Sequence, residues 1–150
     1  MRDFLKPLQV YVVEDSTVIR RLLASAVASA GGEFIGYSVD AENAIADLTT
    51  LRPDLVVLDI ALQTGTGFDV LEALQKLDPK PAPIKVVLTN HASPEYRQVS
   101  FHLGANGFFD KATQTSELLT LISALATEKR SRTIVARTPA RHDPESESLH

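Results

Sequence analysis

Apolar residues along the chain fall alternately into short dense runs and into stripes at helical spacing, and the two patterns take turns. Leu8 to Val13 (LQVYVV) is rich in β-branched and aromatic residues, the composition of a buried strand. Ser16 can cap a following helix whose inward stripe is Ile19, Leu22, Leu23, Ala26, Val27 and Ala30, stopped by Gly31 and Gly32. Phe34 to Val39 predicts a second strand. Ala41 to Leu51 predicts a second helix with Ala44, Ile45 and Leu48 inward, broken at Arg52–Pro53. Asp54 to Asp59 (DLVVLD) is apolar on both faces, as suits the middle of a parallel sheet. After a glycine-rich loop, Val70, Leu71, Leu74 and Leu77 mark a third helix, which Pro79, Pro81 and Pro83 end. Ile84 to Thr89 is a fourth strand. Ser93, Pro94 and Glu95 then supply a cap, a first-position proline and a first-turn acid for a fourth helix. Gly104 closes that helix, Gly107 to Asp110 is a short fifth strand, and Leu118, Leu121, Ile122 and Leu125 form the last stripe. Such an alternation implies an α/β fold, a doubly wound parallel sheet with helices on both faces. In such sheets function gathers at the carboxyl ends of the strands.

At 150 residues the chain has room for one domain and a tail. Residues 1–6 read as a lead, 7–126 as the domain, and 127–150 as the end of the last helix and a disordered charged tail. The character changes near Thr127, where Lys129, Arg130, Arg132, Arg137 and Arg141 precede the acidic stretch DPESESLH. The last helix is therefore expected to fray near Ser131, with the basic run solvated. A net charge of −4 gives no electrostatic case for nucleic acid. The absence of cysteine excludes disulfide frameworks, thiolate metal sites and cysteine nucleophiles. No apolar run approaches the roughly 18 residues of a membrane span, and MRDFLKPLQVYVVED lacks the features of a secretory signal. A cytoplasmic location is expected.

The residues at the carboxyl ends of the predicted strands are Glu14 and Asp15, then Asp59, then Thr89, with Lys111 just after the fifth. Each alone has an ordinary role, in a helix start, a turn, a polar loop or a charged surface. Together they are costly. At ~5 Å each like-charge pair of carboxylates repels by about 3 kcal/mol at an effective dielectric of about 20. Such a cluster persists where cations neutralise it. Lys111 supplies one charge, and carboxylate oxygens favour a hard divalent ion, Mg²⁺ above all. Oxygen-bound Mg²⁺ with a lysine and a threonine hydroxyl suits a phosphoryl group.

The ordered set VYVVED, DLVVLD, VVLT and FFDK resembles the receiver domain of the two-component response-regulator family over roughly residues 7 to 126. The resemblance implies a flavodoxin-like (βα)5 sheet of strand order 2-1-3-4-5. It implies Asp59 as phosphoacceptor, charged by a sensor histidine kinase, a histidine phosphotransfer protein or a small phosphodonor. Asp15 and Asp59 would hold Mg²⁺ directly, Glu14 through water, and Ala61 through its backbone carbonyl. Thr89 and Lys111 would bind the phosphoryl oxygens. Phe108 takes the place of the switch aromatic, rotating into space that Thr89 vacates. That motion would remodel the face of the fourth helix, fifth strand and fifth helix for a downstream protein, a homodimer being one form of output. Neither direct DNA binding nor a membrane is expected, and the chain reads as a stand-alone receiver whose only catalysis is of its own phosphorylation and dephosphorylation.

Three positions depart from the family pattern. Ala112 follows Lys111 where proline is common, so no cis peptide is expected there. Gln63 stands where proline is common, with Gly67 in register, and Phe108 is not tyrosine. With no phenolic hydroxyl, its position should depend on packing alone. His91 reads as an exposed loop residue at the rim of the site. Gly65-Thr66-Gly67 is a helix-entry turn, since Val70 stands where a dinucleotide loop needs its third glycine. Two competing classes are a pseudo-receiver that never takes phosphate and a small aspartyl phosphatase of the haloacid-dehalogenase type. The second places its nucleophile before the other motifs and a second acid two residues on, where this chain has Ala61.

Overall fold

Strands β1 (Gln9–Val13), β2 (Glu33–Ser38), β3 (Leu55–Leu58), β4 (Ile84–Thr89) and β5 (Gly107–Asp110) alternate with helices α1 (Thr17–Ser29), α2 (Ala41–Leu48), α3 (Gly67–Leu77), α4 (Pro94–His102) and α5 (Thr115–Arg137). This computed structural model describes residues 6–137. All pairings are parallel, in the order β2-β1-β3-β4-β5. The architecture is thus flavodoxin-like, as expected.

Strand alternation divides the core into two. Tyr11, Val13, Val56, Leu58 and Val87 pack on one side of the sheet with Ala44, Leu48, Val70, Leu71 and Leu74 of α2 and α3. Val10, Val12, Leu55, Val57, Val86 and Leu88 face the other side, with Leu23, Val27, Leu118 and Ile122 of α1 and α5. Both faces of β3 are covered, which is why its sequence is apolar throughout.

Helix starts follow the sequence closely. Ser16, Asp40, Thr66 and Ser93 cap α1 to α4, and Thr66 forms a reciprocal capping box with Asp69. Helix ends follow it less well. α2 stops at Leu48, short of the predicted Leu51. There the Thr49 and Thr50 hydroxyls bond back to the carbonyls of Ala46 and Asp47, and Arg52 donates to those of Leu48, Thr49 and Leu51. These side chains satisfy the carbonyls of the last turn and let the chain leave the helix.

α5 errs the other way, continuing past Ser131 to Arg137. Lys129 and Arg130, read from the sequence as solvated, hold its end in place. Lys129 Nζ lies 2.9 Å from Asp54 Oδ2, the oxygen that also accepts from Gln9 N–H at 2.8 Å. The Arg130 guanidinium donates to the Ala30 carbonyl at the end of α1. The expected tail lies, from residue 138 on, outside the described residues. Leu22 and Leu77, predicted inward, are half-exposed. The cis peptide among the described residues is Lys80–Pro81.

Candidate functional site

Parallel register carries the strand ends to one edge. Val13 pairs with Leu58, Leu58 with Val87, and Thr89 with Asp110. Asp59 N–H continues the ladder by donating to the Val13 carbonyl at 3.0 Å, and Glu14 N–H donates to the Ser38 carbonyl at 2.9 Å. Glu14, Asp15 and Asp59 each offer an oxygen within 4.8 Å of the others. Glu14 and Asp59 are buried, while Asp15 is exposed.

Lys111 closes this cluster. Its Nζ lies 2.7 Å from Asp59 Oδ2 and 2.9 Å from Glu14 Oε1, with all three side chains almost out of solvent. Burial alone would lower the lysine's pKa, but the hydrogen bonds and charges of Asp59 and Glu14 together outweigh it and raise it. Burial pushes the Glu14 carboxyl up, against the Ser16 N–H and Lys111, which favour its charged form. Three oxygen ligands of hard character, one of them open to solvent, fit a divalent cation of the Mg²⁺ type.

The other predicted positions lie around this cluster. Thr89 is fully buried, its carbonyl accepts from Lys111 N–H at 2.9 Å, and its hydroxyl accepts from His91 N–H at 3.1 Å. Ala61 is exposed, bridges to Thr66, and donates its N–H to Asp59 Oδ1 at 3.3 Å. Phe108, paired with Val87, is buried on the α2–α3 side of the sheet. His91 is exposed, with its ring 6.3 Å from that of Tyr96.

Three contributions escape a reading of the sequence. Ser16 N–H donates to Glu14 Oε2 at 2.9 Å. Arg20 donates to the Glu14 carbonyl at 2.9 Å while its guanidinium lies 4.3 Å from the centre of the Tyr37 ring, bracing the β1–α1 loop. At Gly67 a Cβ would stand 2.3 Å from the Asp59 carbonyl oxygen, so the start of α3 presses on the backbone of Asp59. A helix-spaced arginine would have hinted at the second; the third shows in the sequence only as a glycine in the right register.

A doubly wound sheet whose carboxyl edge gathers three acids, a bridging lysine and a buried threonine defines a signalling receiver domain. The chain belongs to the response regulator receiver domain family, which it matches over residues 10–123. It is 30% identical over 120 residues to protein-glutamate methylesterase/protein-glutamine glutaminase 3 of Geobacter sulfurreducens, covering 78% of this chain and 32% of that protein. It spans about a third of the length of the methylesterase relatives, with coverages of 32%, 33% and 34%. Chemotaxis protein CheY of Thermotoga maritima is 24% identical, with 79% of this chain and 97% of CheY covered. Among solved structures, the CheY-like receiver domain protein of Methanospirillum hungatei superposes with a TM-score of 0.71 at 25% identity, over 84% of this chain and 98% of that one. No helix among the described residues is long and apolar enough to cross a membrane.

Proposed function

We propose that this domain accepts a phosphoryl group on Asp59 from a phosphohistidine of a sensor kinase or phosphotransfer protein, and signals through α4, β5 and α5. The observation that carries the reading is the Lys111 bridge between Asp59 and Glu14, set beside an exposed Asp15. An Asp59 carboxylate oxygen attacks phosphorus in line as the bond from phosphorus to the histidine nitrogen breaks, leaving an acyl phosphate and a neutral imidazole. Lys111 Nζ, freed from part of its contact with Asp59, neutralises the phosphoryl oxygens. The Thr89 hydroxyl, now accepting from His91 N–H, can turn to donate to one of them. Asp15 and Asp59 would hold Mg²⁺ directly, with Glu14 through water and the Ala61 carbonyl completing the set. When bound, Mg²⁺ supplies two positive charges against the carboxylates and the incoming phosphoryl oxygens.

The added charge at Asp59 draws Thr89 inward, and Phe108 relays the change to the partner face. The partners this reading implies are a histidine kinase and a downstream protein; the setting it implies is the cytoplasm.

Incubation with acetyl phosphate and Mg²⁺, followed by intact mass measurement, tests the reading. A gain of one phosphate, removed by hydroxylamine and absent from Asp59→Asn, is expected. Full labelling of folded Asp59→Asn at its original site would end it. Turnover of added phosphate esters would favour the phosphatase class, and no labelling of the wild type the pseudo-receiver.

A further inference from the structure

Phe108 carries no hydroxyl, and packing is the only anchor its sequence suggests. The structure gives it another. Arg97 of α4 lies with Cζ 5.7 Å from the centre of the Phe108 ring and 5.2 Å from that of Phe101. Its Nη1 points to the Phe108 carbonyl oxygen at 3.5 Å, a long contact that orients more than it binds. Arg97 is exposed whereas Phe108 is buried, so the guanidinium covers the ring from the solvent side. α4 is otherwise lightly held. Ser100 is its one buried residue, and Tyr96, Val99 and Phe101 are each about two-fifths exposed, at 40%, 41% and 39%.

We propose that Arg97 is a positioning residue that latches Phe108 inward and ties α4 to the state of that ring. The proposal rests on the receiver reading of Phe108. An arginine suits the task because its planar, permanently charged group can lie over an aromatic face while its N–H groups reach a carbonyl. The path from the site is short. Thr89 Oγ accepts from His91 N–H, which ties down the loop leading to the Ser93 cap of α4. A Thr89 hydroxyl that turns toward phosphate releases that loop. Arg97 lies four residues beyond the cap, its N–H bonded to the Ser93 carbonyl at 3.0 Å. The latch is therefore the point at which movement of the loop meets the ring. By linkage, a change at either end of this path biases the other by the same factor.

The test is made on the unmodified protein, by carbon NMR of the assigned Phe108 ring with relaxation dispersion. Arg97→Met, which keeps bulk but removes the charge and the planar group, should raise the outward population about fivefold. That factor is ~1 kcal/mol at about 1.4 kcal/mol per tenfold, the size of an exposed cation–ring contact. Gln98→Met, an exposed change on the same helix, should leave the ring as in the wild type. Unchanged Phe108 signals in Arg97→Met overturn the latch. So does an equal shift in Gln98→Met, which would mean a general loosening of α4. Labelling each variant with acetyl phosphate reports on Asp59 separately, so a failure of the receiver reading leaves the ring measurement standing.

Discussion

Replacing Lys111 with methionine keeps most of the apolar stem of the side chain and removes the charge that separates Glu14 from Asp59. Their oxygens lie within 4.8 Å, so at an effective dielectric of about 20 the exposed repulsion is at least ~3.5 kcal/mol. Asp15 adds little, because it is exposed and screened. Breaking a buried ion pair from one side typically costs about 3–5 kcal/mol. We expect Lys111→Met to lose ~3–4 kcal/mol at pH 8 without divalent ions, read from urea unfolding by circular dichroism.

The pH dependence fixes the cause. Lys111 has a raised pKa, so its contribution is complete below its unfolded value of about 10.4 and is lost only as pH rises through the folded one. pH 8 lies inside that window. Glu14 is already raised by burial, and losing Lys111 raises it further. A carboxyl raised in the folded state binds its proton more tightly there. The deficit of the variant is therefore full above that pKa and shrinks as pH falls through it. At pH 5 the gap to wild type should narrow, and at pH 8 Mg²⁺ at about 100 times its Kd should restore ~2.7 kcal/mol. A gap equal at pH 5 and pH 8 would show that Lys111 acts by packing, not by charge.

Three further outcomes are expected. Tyr11, buried with its hydroxyl on Ser38 and Asp47, has a pKa raised by burial and then by Asp47, so the wild type should lose stability above pH ~10, where only the unfolded tyrosine ionises. Tyr11→Phe should lose stability less steeply over that range, since Lys111 titrates in both proteins, while costing about 1–3 kcal/mol near neutrality; equal slopes in the two would refute it. Gly67→Ala should lose at least about 1–3 kcal/mol and slow labelling of Asp59, because its Cβ meets the Asp59 carbonyl; wild-type melting and labelling would refute the close approach. Asp15→Ala should blunt the rise in melting temperature that Mg²⁺ gives the wild type and match or exceed wild-type stability without metal; an undiminished Mg²⁺ response would show that Asp15 is no ligand.

The limits of β4 and β5 are legible to the residue, because a dense apolar run between proline or glycine and a polar loop has only one reading. The meeting of Glu14, Asp15, Asp59 and Lys111 was legible for a related reason: each follows a strand, and parallel register delivers strand ends to one edge. What could not be read depends on partners far apart in the chain. Lys129 and Asp54 are 75 positions apart, and nothing in a basic run reveals that one of its members is tethered. Arg97 stands in a largely polar helix without a clear stripe, so its place over Phe108 has no periodic signature. The burial of the Phe108 ring rests on neighbours from several other elements, which residue order does not encode.

The sheet that splits the core also sets which changes can be combined freely. Leu23, Val27, Leu118 and Ile122 share no packing cluster with Phe108, Val70 or Leu74. Substitutions on opposite sides of β3 should then add, within about 0.3–0.5 kcal/mol, while pairs on the same side should not. Mutational load on the α1–α5 half would draw down the stability of the whole domain without redrawing the surroundings of the Phe108 ring. The buried residues of that half can drift in sequence as ballast, while the outer surface of α5 and the other half are held to the geometry that the moving parts require.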